Sequence, residues 1–287
     1  MLNKVIAAGC VIFIALSAWS VALPSGDKLP LPFMALMVVA LVVLLLGHMW
    51  KHLGWRLMAA FAIAGAVVEW IFEQTNISFG GFIWGDIRYG DMTVFSLHIG
   101  DVPLVVPLLM AVILWPTYAT VNLALDGRIV LDPKSMPWWQ TVWRCVLYGF
   151  VHSWLMLMFN ELCENWDVYQ WVGHSARRPA EDMFLGDPRA PLGWLIYVVV
   201  TMLIFSLVIM PVLGRHALAA ASARPLAWAD GAPIVFLGVL ALQVALNRIN
   251  NATVANVALW TMGFFAVLVG YRFADVMRLQ RVRDQSW

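Results

Sequence analysis

Apolar runs of about 20 residues, the length that crosses a hydrocarbon core of about 30 Å, recur along the chain and are separated by shorter polar stretches. Eight windows qualify: Val5 to Leu23, Leu31 to Trp50, Arg56 to Gln74, Val102 to Leu123, Trp139 to Asn160, Leu192 to Leu213, Ala232 to Leu246 and Val254 to Asp275. The pattern predicts an all-α fold, a polytopic membrane bundle of about eight transmembrane helices. The seventh window is the shortest. The first follows Lys4 as a secretory signal would, but its apolar run is too long and Ala22-Leu23-Pro24 is a poor cleavage site, so it reads as a retained helix.

Composition agrees. Apolar residues make up 62% of the 287 and charged residues 12%, against roughly 45–50% and about 25% in soluble domains. No repeat and no pair of broken helices divides the sequence, so residues 1–287 read as a single transmembrane domain. The three cysteines, Cys10, Cys145 and Cys163, are too scattered for a disulfide framework. A net charge of +1 gives no sign of a nucleic-acid partner.

Charge placement adds an orientation. With a cytoplasmic N-terminus, twelve of the 18 Lys and Arg fall on the inner side and twelve of the 17 Asp and Glu on the outer side, which by the excess of inner positive charge predicts both termini in the cytoplasm. The expected location is a bacterial cytoplasmic membrane. Two outer connections, Thr75 to Asp101 and Glu161 to Pro191, are long, hydrophobic and acidic. Function concentrates in such loops.

Two groups of carboxylates invite chemistry. Glu69 and Glu73 are four apart near the end of the third window and share a helical face. Ionisable groups at membrane depth face a bundle interior, a partner or a cavity, and apolar surroundings favour the neutral form of a carboxyl, a proton donor. The competing reading is a solvated pair at the membrane interface. The second group, Asn160-Glu161-Leu162-Cys163-Glu164-Asn165-Trp166-Asp167, ends the fifth window; helical spacing puts Glu161 with Glu164, and Asn160 with Glu164, on shared faces. It equally describes an acidic rim. Between the windows, Phe79-Gly-Gly-Phe-Ile-Trp-Gly-Asp-Ile-Arg-Tyr mixes aromatics with glycine, suited to an interface belt or an apolar ligand. Asp101 then precedes Pro103 and Pro107 as either a helix cap or a functional acid.

Several classes lack their residues. With six His and a single HxxxH pair, His48 and His52 at the other end of the helices, the chain does not carry the histidine boxes of di-iron membrane enzymes. Neither carboxylate group has the ExxH pattern of ferritin-like sites. There is no GxSxG, phosphate loop or dinucleotide fingerprint. No metal and no cofactor is expected, which leaves acid chemistry by carboxylates.

The segment from Glu69 to Pro107, about 40 of the 287 residues, resembles the integral-membrane carotenoid-biosynthesis family that includes γ-carotene 1′-hydroxylase and bisanhydrobacterioruberin hydratase. The likeness lies in a helix-borne glutamate (Glu69 or Glu73), the stretch Phe79-Gly80-Gly81-Phe82-Ile83-Trp84, and Gly100-Asp101-Val102-Pro103 followed by Pro107. In the second motif the chain departs: Asp187-Pro188 leads to Pro191-Leu-Gly193-Trp194 without the family's asparagine, as in a divergent member. The resemblance implies a membrane hydratase that adds water to a terminal isoprene double bond of a carotenoid or related isoprenoid. Glu69 would be the acid, with Glu73 beside it, and Glu161, Glu164 or Asp101 the base. Trp70, Phe82, Trp84 and Trp166 would bind the long apolar substrate. Without a captured water the same groups would serve a terpene cyclase. A proton-coupled transporter or lipid-binding protein would also use carboxylates, but needs polar residues through the full membrane depth, and here the middles of most windows are almost wholly apolar, with Arg144 and His152 as exceptions in the fifth. A structural subunit would turn the acidic loops toward a partner.

Overall fold

The structure is a computed structural model that describes residues 1–23, 30–89, 97–165, 169–171, 190–214, 224–246, 256–257 and 259–285. Among these, seven helices are long and apolar enough to cross a membrane: α1 (Leu2–Ala22), α2 (Leu31–Ser78), α3 (Val105–Asp126), α4 (Trp138–Asn165), α5 (Ala190–Leu213), α6 (Trp228–Leu246) and α7 (Leu259–Gln285). Helix α2 takes in two of the eight windows. Its backbone leaves helical geometry at Gly54, with φ 71 and ψ 166. Trp115 packs on both arms, its ring 5.8 Å from that of His48 and 5.8 Å from that of Phe61. On an unbroken helix those two positions would lie about 20 Å apart. The chain therefore doubles back at Gly54, and seven helices supply eight apolar arms.

Packing follows from small residues at the crossings. Lipid tails are as apolar as leucine, so helices associate in membranes by close van der Waals contact, which small side chains permit. A Cβ on Gly9 would stand 2.8 Å from Leu44 Cβ, one on Gly65 3.0 Å from Ala111 Cβ, and one on Gly149 2.8 Å from the Leu195 carbonyl oxygen. These contacts join α1 to the first arm of α2, the second arm to α3, and α4 to α5. Helix α3 is the centre of the bundle, buried at every position from Met110 to Leu123.

The ends of the bundle differ in chemistry. Ile6 meets Gly47 near the Gly54 turn, Arg272 and Val276 approach Gly127, Trp228 packs on Phe273, and Gln280 accepts a hydrogen bond from the Leu226 amide. The two termini thus lie at one end, together with Lys51, Arg128, Arg144 and Arg224. Arg144 is accounted for there by a two-pronged pair with Asp126, at 2.6 and 3.0 Å.

The opposite end holds the long connections. Strand β1 (Ile87–Tyr89) pairs antiparallel with β4 (Tyr169–Trp171), tying the two outer loops together. Strands β2 (His98–Ile99) and β3 (Val102–Pro103) form a hairpin through Gly100 and Asp101. That hairpin moves the start of the fourth membrane helix from the expected Val102 to Val105, and the residue before it, Leu104, supplies no side-chain cap. Asp101 is therefore not a helix cap.

Candidate functional site

Glu69 and Glu73 stand in the last turns of the second arm of α2, on the face turned into the bundle, each only 3% exposed. In both, Oε2 is buried without a hydrogen-bond partner among the described residues. Among the described residues, neither is ion-paired with a Lys or Arg; the nearest donors are aromatic. The Tyr89 hydroxyl donates to Glu73 Oε1, and Trp84 borders the same carboxyl. Tyr197, fully buried on α5, sets its hydroxyl 3.5 Å from the Gly65 carbonyl, one turn before Glu69. Phe72 completes the wall, stacked on Trp84 at 6.0 Å and edge-on to Tyr197 at 6.1 Å. A solvated interfacial pair does not describe this arrangement. These are two inward carboxyls lined by aromatic rings.

The glycine and aromatic segment is fastened over the pair by one residue. Asn76, fully buried, accepts from the Ile83 amide at 2.9 Å and the Trp84 amide at 3.0 Å, and donates to the Gly85 carbonyl at 2.8 Å. Gly81 permits the fold: at φ 78 its backbone passes so close that a Cβ would lie 2.3 Å from the Asp86 nitrogen. Trp84 is driven inward to 3% exposure, whereas Phe82 stays 69% exposed. No pattern in the sequence marks Asn76 for this role. Asn76→Ala would strand two donors and an acceptor, at about 1–3 kcal/mol each. Amide hydrogen exchange at Ile83 and Trp84 is expected to rise about a hundredfold, with Asn76→Asp, which keeps the acceptor, in between; exchange at the wild-type rate in the alanine variant would refute this role.

The remaining candidates divide. Trp70 donates its indole N–H to the Ile99 carbonyl at 2.9 Å and so anchors the β2–β3 hairpin. Asp101 is exposed and held by Gln74, which donates to its carboxylate at 2.8 Å and accepts from its amide at 2.9 Å. Successive helical residues point about 100° apart, so Gln74 takes Asp101 to a different face from Glu73. Glu161 and Glu164 extend α4, with their side chains outside what the structure describes, and Trp166 lies outside the described residues. What α4 does present inward is His152 and Asn160, 0% and 3% exposed, with His152 Nε2 and Asn160 Nδ2 unpartnered among the described residues. The eight-residue spacing that aligns them on one face was visible in the sequence; their burial was not.

A second polar group lies at the basic end. Asp230 is completely buried, with Lys51 Nζ at 2.5 Å and His52 Nε2 at 2.8 Å from Oδ1, and the Ala227 amide at 2.7 Å from Oδ2. His48 Nε2 lies 3.8 Å from the same Oδ1. One ligand atom from each of His48, His52 and Asp230 falls within 4.8 Å of the others, the spacing of a metal centre. The hydrogen bonds do not suit one. Trp115 donates to His48 Nδ1 at 2.9 Å, and an indole N–H is a donor only, so the single proton of a neutral His48 sits on Nε2, where a metal would need a lone pair. The Lys51 ammonium already occupies the carboxylate. The group is an ion cluster that fastens the Gly54 turn to the start of α6.

No family model matches the chain, and neither a curated protein nor a solved structure matches it.

Proposed function

We propose that the chain is a membrane hydratase of isoprenoid alkenes, working by carboxylic-acid protonation at Glu69. The observation that supports this reading is the buried pair Glu69 and Glu73, without a cationic partner among the described residues and walled by Phe72, Trp84, Tyr89 and Tyr197. A protonated carboxyl in apolar surroundings can transfer its proton to a trisubstituted double bond: the O–H bond breaks, a C–H bond forms at the less substituted carbon, and the tertiary carbon becomes a cation. Aromatic faces stabilise such a cation. Water then adds to it and gives up a proton to a base. A long polyene suits an apolar bundle in which, among the described residues, the deep carboxyls without a cationic partner lie near one end. With the basic end in the cytoplasm of a bacterial inner membrane, the pair faces the outer leaflet.

The test uses membranes containing the full chain, an acyclic carotene with isopropylidene ends, and water enriched in heavy oxygen. The expected product is heavier than the substrate by one water, with the label in its hydroxyl group. A product isomeric with the substrate would overturn hydration in favour of cyclisation, and an unconsumed substrate would overturn the enzyme reading.

A further inference from the structure

We infer that His152 is the general base that takes the proton from the attacking water, an assignment that rests on the hydratase reading. Its imidazole is fully buried on α4. One ring nitrogen is occupied: Nδ1 lies 3.4 Å from Thr117 Oγ1. The other, Nε2, is buried with no partner among the described residues. Buried polar side-chain atoms are paired in the large majority of cases, and an exception calls for an explanation, a catalytic role among them.

Ring contacts bring His152 into the neighbourhood of the carboxyl pair. Its ring packs edge-on to Tyr197, centroids 6.2 Å apart, and the Tyr197 hydroxyl lies against the Gly65 carbonyl, which in a helix faces the amide of Glu69. Glu69 and His152 therefore belong to different helices that both approach Tyr197, Glu69 one turn beyond the Gly65 carbonyl that its hydroxyl meets. Addition of water across a double bond calls for two groups, one delivering a proton and the other taking one from the water. The carboxylates first considered for the base fit less well. Asp101 is exposed and engaged by Gln74, and Glu161 lies about 13 Å farther along α4 toward the loops.

The cycle balances with one water consumed. Glu69 gives its proton to the alkene carbon and becomes a carboxylate; the water oxygen bonds to the tertiary cation; a water proton passes to His152 Nε2 and forms an imidazolium. That proton returns to the Glu69 carboxylate, restoring both groups.

Four proteins are compared in heavy water with the same acyclic carotene: wild type, Glu69→Gln, His152→Gln and, as a second removal of the base, His152→Asn. Hydrated product and deuterium in the recovered alkene are both measured. In the His152 variants the cation still forms and collapses back, so deuterium enters the vinylic position while hydration falls about a hundredfold or more. Glu69→Gln shows neither. Hydration near the wild-type rate in either His152 variant overturns the assignment and leaves the hydratase reading standing. Loss of hydration and exchange together in both His152 variants also overturns it, since a base for water is not needed to protonate the alkene. A wild-type protein that neither hydrates nor exchanges refutes the hydratase reading itself.

Discussion

Glu69→Gln is expected to slow conversion of an acyclic carotene about a thousandfold in membranes matched for protein content, while the helices stay assembled. Glutamine keeps the shape and length of the side chain and removes the transferable proton, and losing a positioned general acid lowers rates by roughly 10²–10⁴-fold. Glu73→Gln should have a smaller effect, about tenfold, because Glu73 is engaged by the Tyr89 hydroxyl and acts through that contact. The order of the two variants is the informative part. If Glu69→Gln turned over within twofold of wild type, Glu69 would not be the acid; if Glu73→Gln were the dead variant, the two roles would be exchanged.

The second large effect lies at the opposite end. Asp230→Asn would leave the Lys51 ammonium, 10% exposed, beside two histidines with no carboxylate to answer it. Breaking a buried pair by removing one partner is destabilising by about 3–5 kcal/mol, whereas replacing both partners with apolar residues of similar size is often nearly neutral. Thermal unfolding in detergent micelles should therefore show a marked loss for Asp230→Asn and recovery of most of it in Lys51→Met with Asp230→Leu. Strict additivity of the single changes, with the double variant least stable of all, would exclude an ion cluster as the fastening. Added zinc should leave the unfolding midpoint of the wild type unchanged, as the tautomer enforced by Trp115 requires.

Both sites show what a linear chain displays and what it conceals. The spans were legible because a membrane imposes one length and one polarity on every segment, and Ala232–Leu246 matches its window residue for residue. The shared face of Glu69 and Glu73 was legible because helical spacing is local. Asp230 as partner to His52 was not, because the contact joins positions 178 apart and depends on how helices stack. Asn76 was overlooked for a different reason: its function is to satisfy backbone groups of a loop, and no side-chain pattern marks that. The β2–β3 hairpin escaped because two-residue strands are too short for any alternation of polarity to register. Of the two readings open for Asp101, the helix cap falls because the proline that follows it belongs to the hairpin rather than to the first turn of α3.

Gly54 carries a consequence for the whole molecule. Its backbone, at φ 71 and ψ 166, lies in a region open essentially to glycine alone. If residue 54 joined its neighbours in a helix, positions 31–78 would make one rod of about 72 Å, more than twice the thickness of a hydrocarbon core of about 30 Å. A bilayer could accept such a rod only by losing one crossing. The count would change from even to odd, and every later segment would be delivered to the other compartment. The side of the membrane on which the outer loops meet the carboxyl pair is thus a matter of parity, decided at a single position that has no side chain.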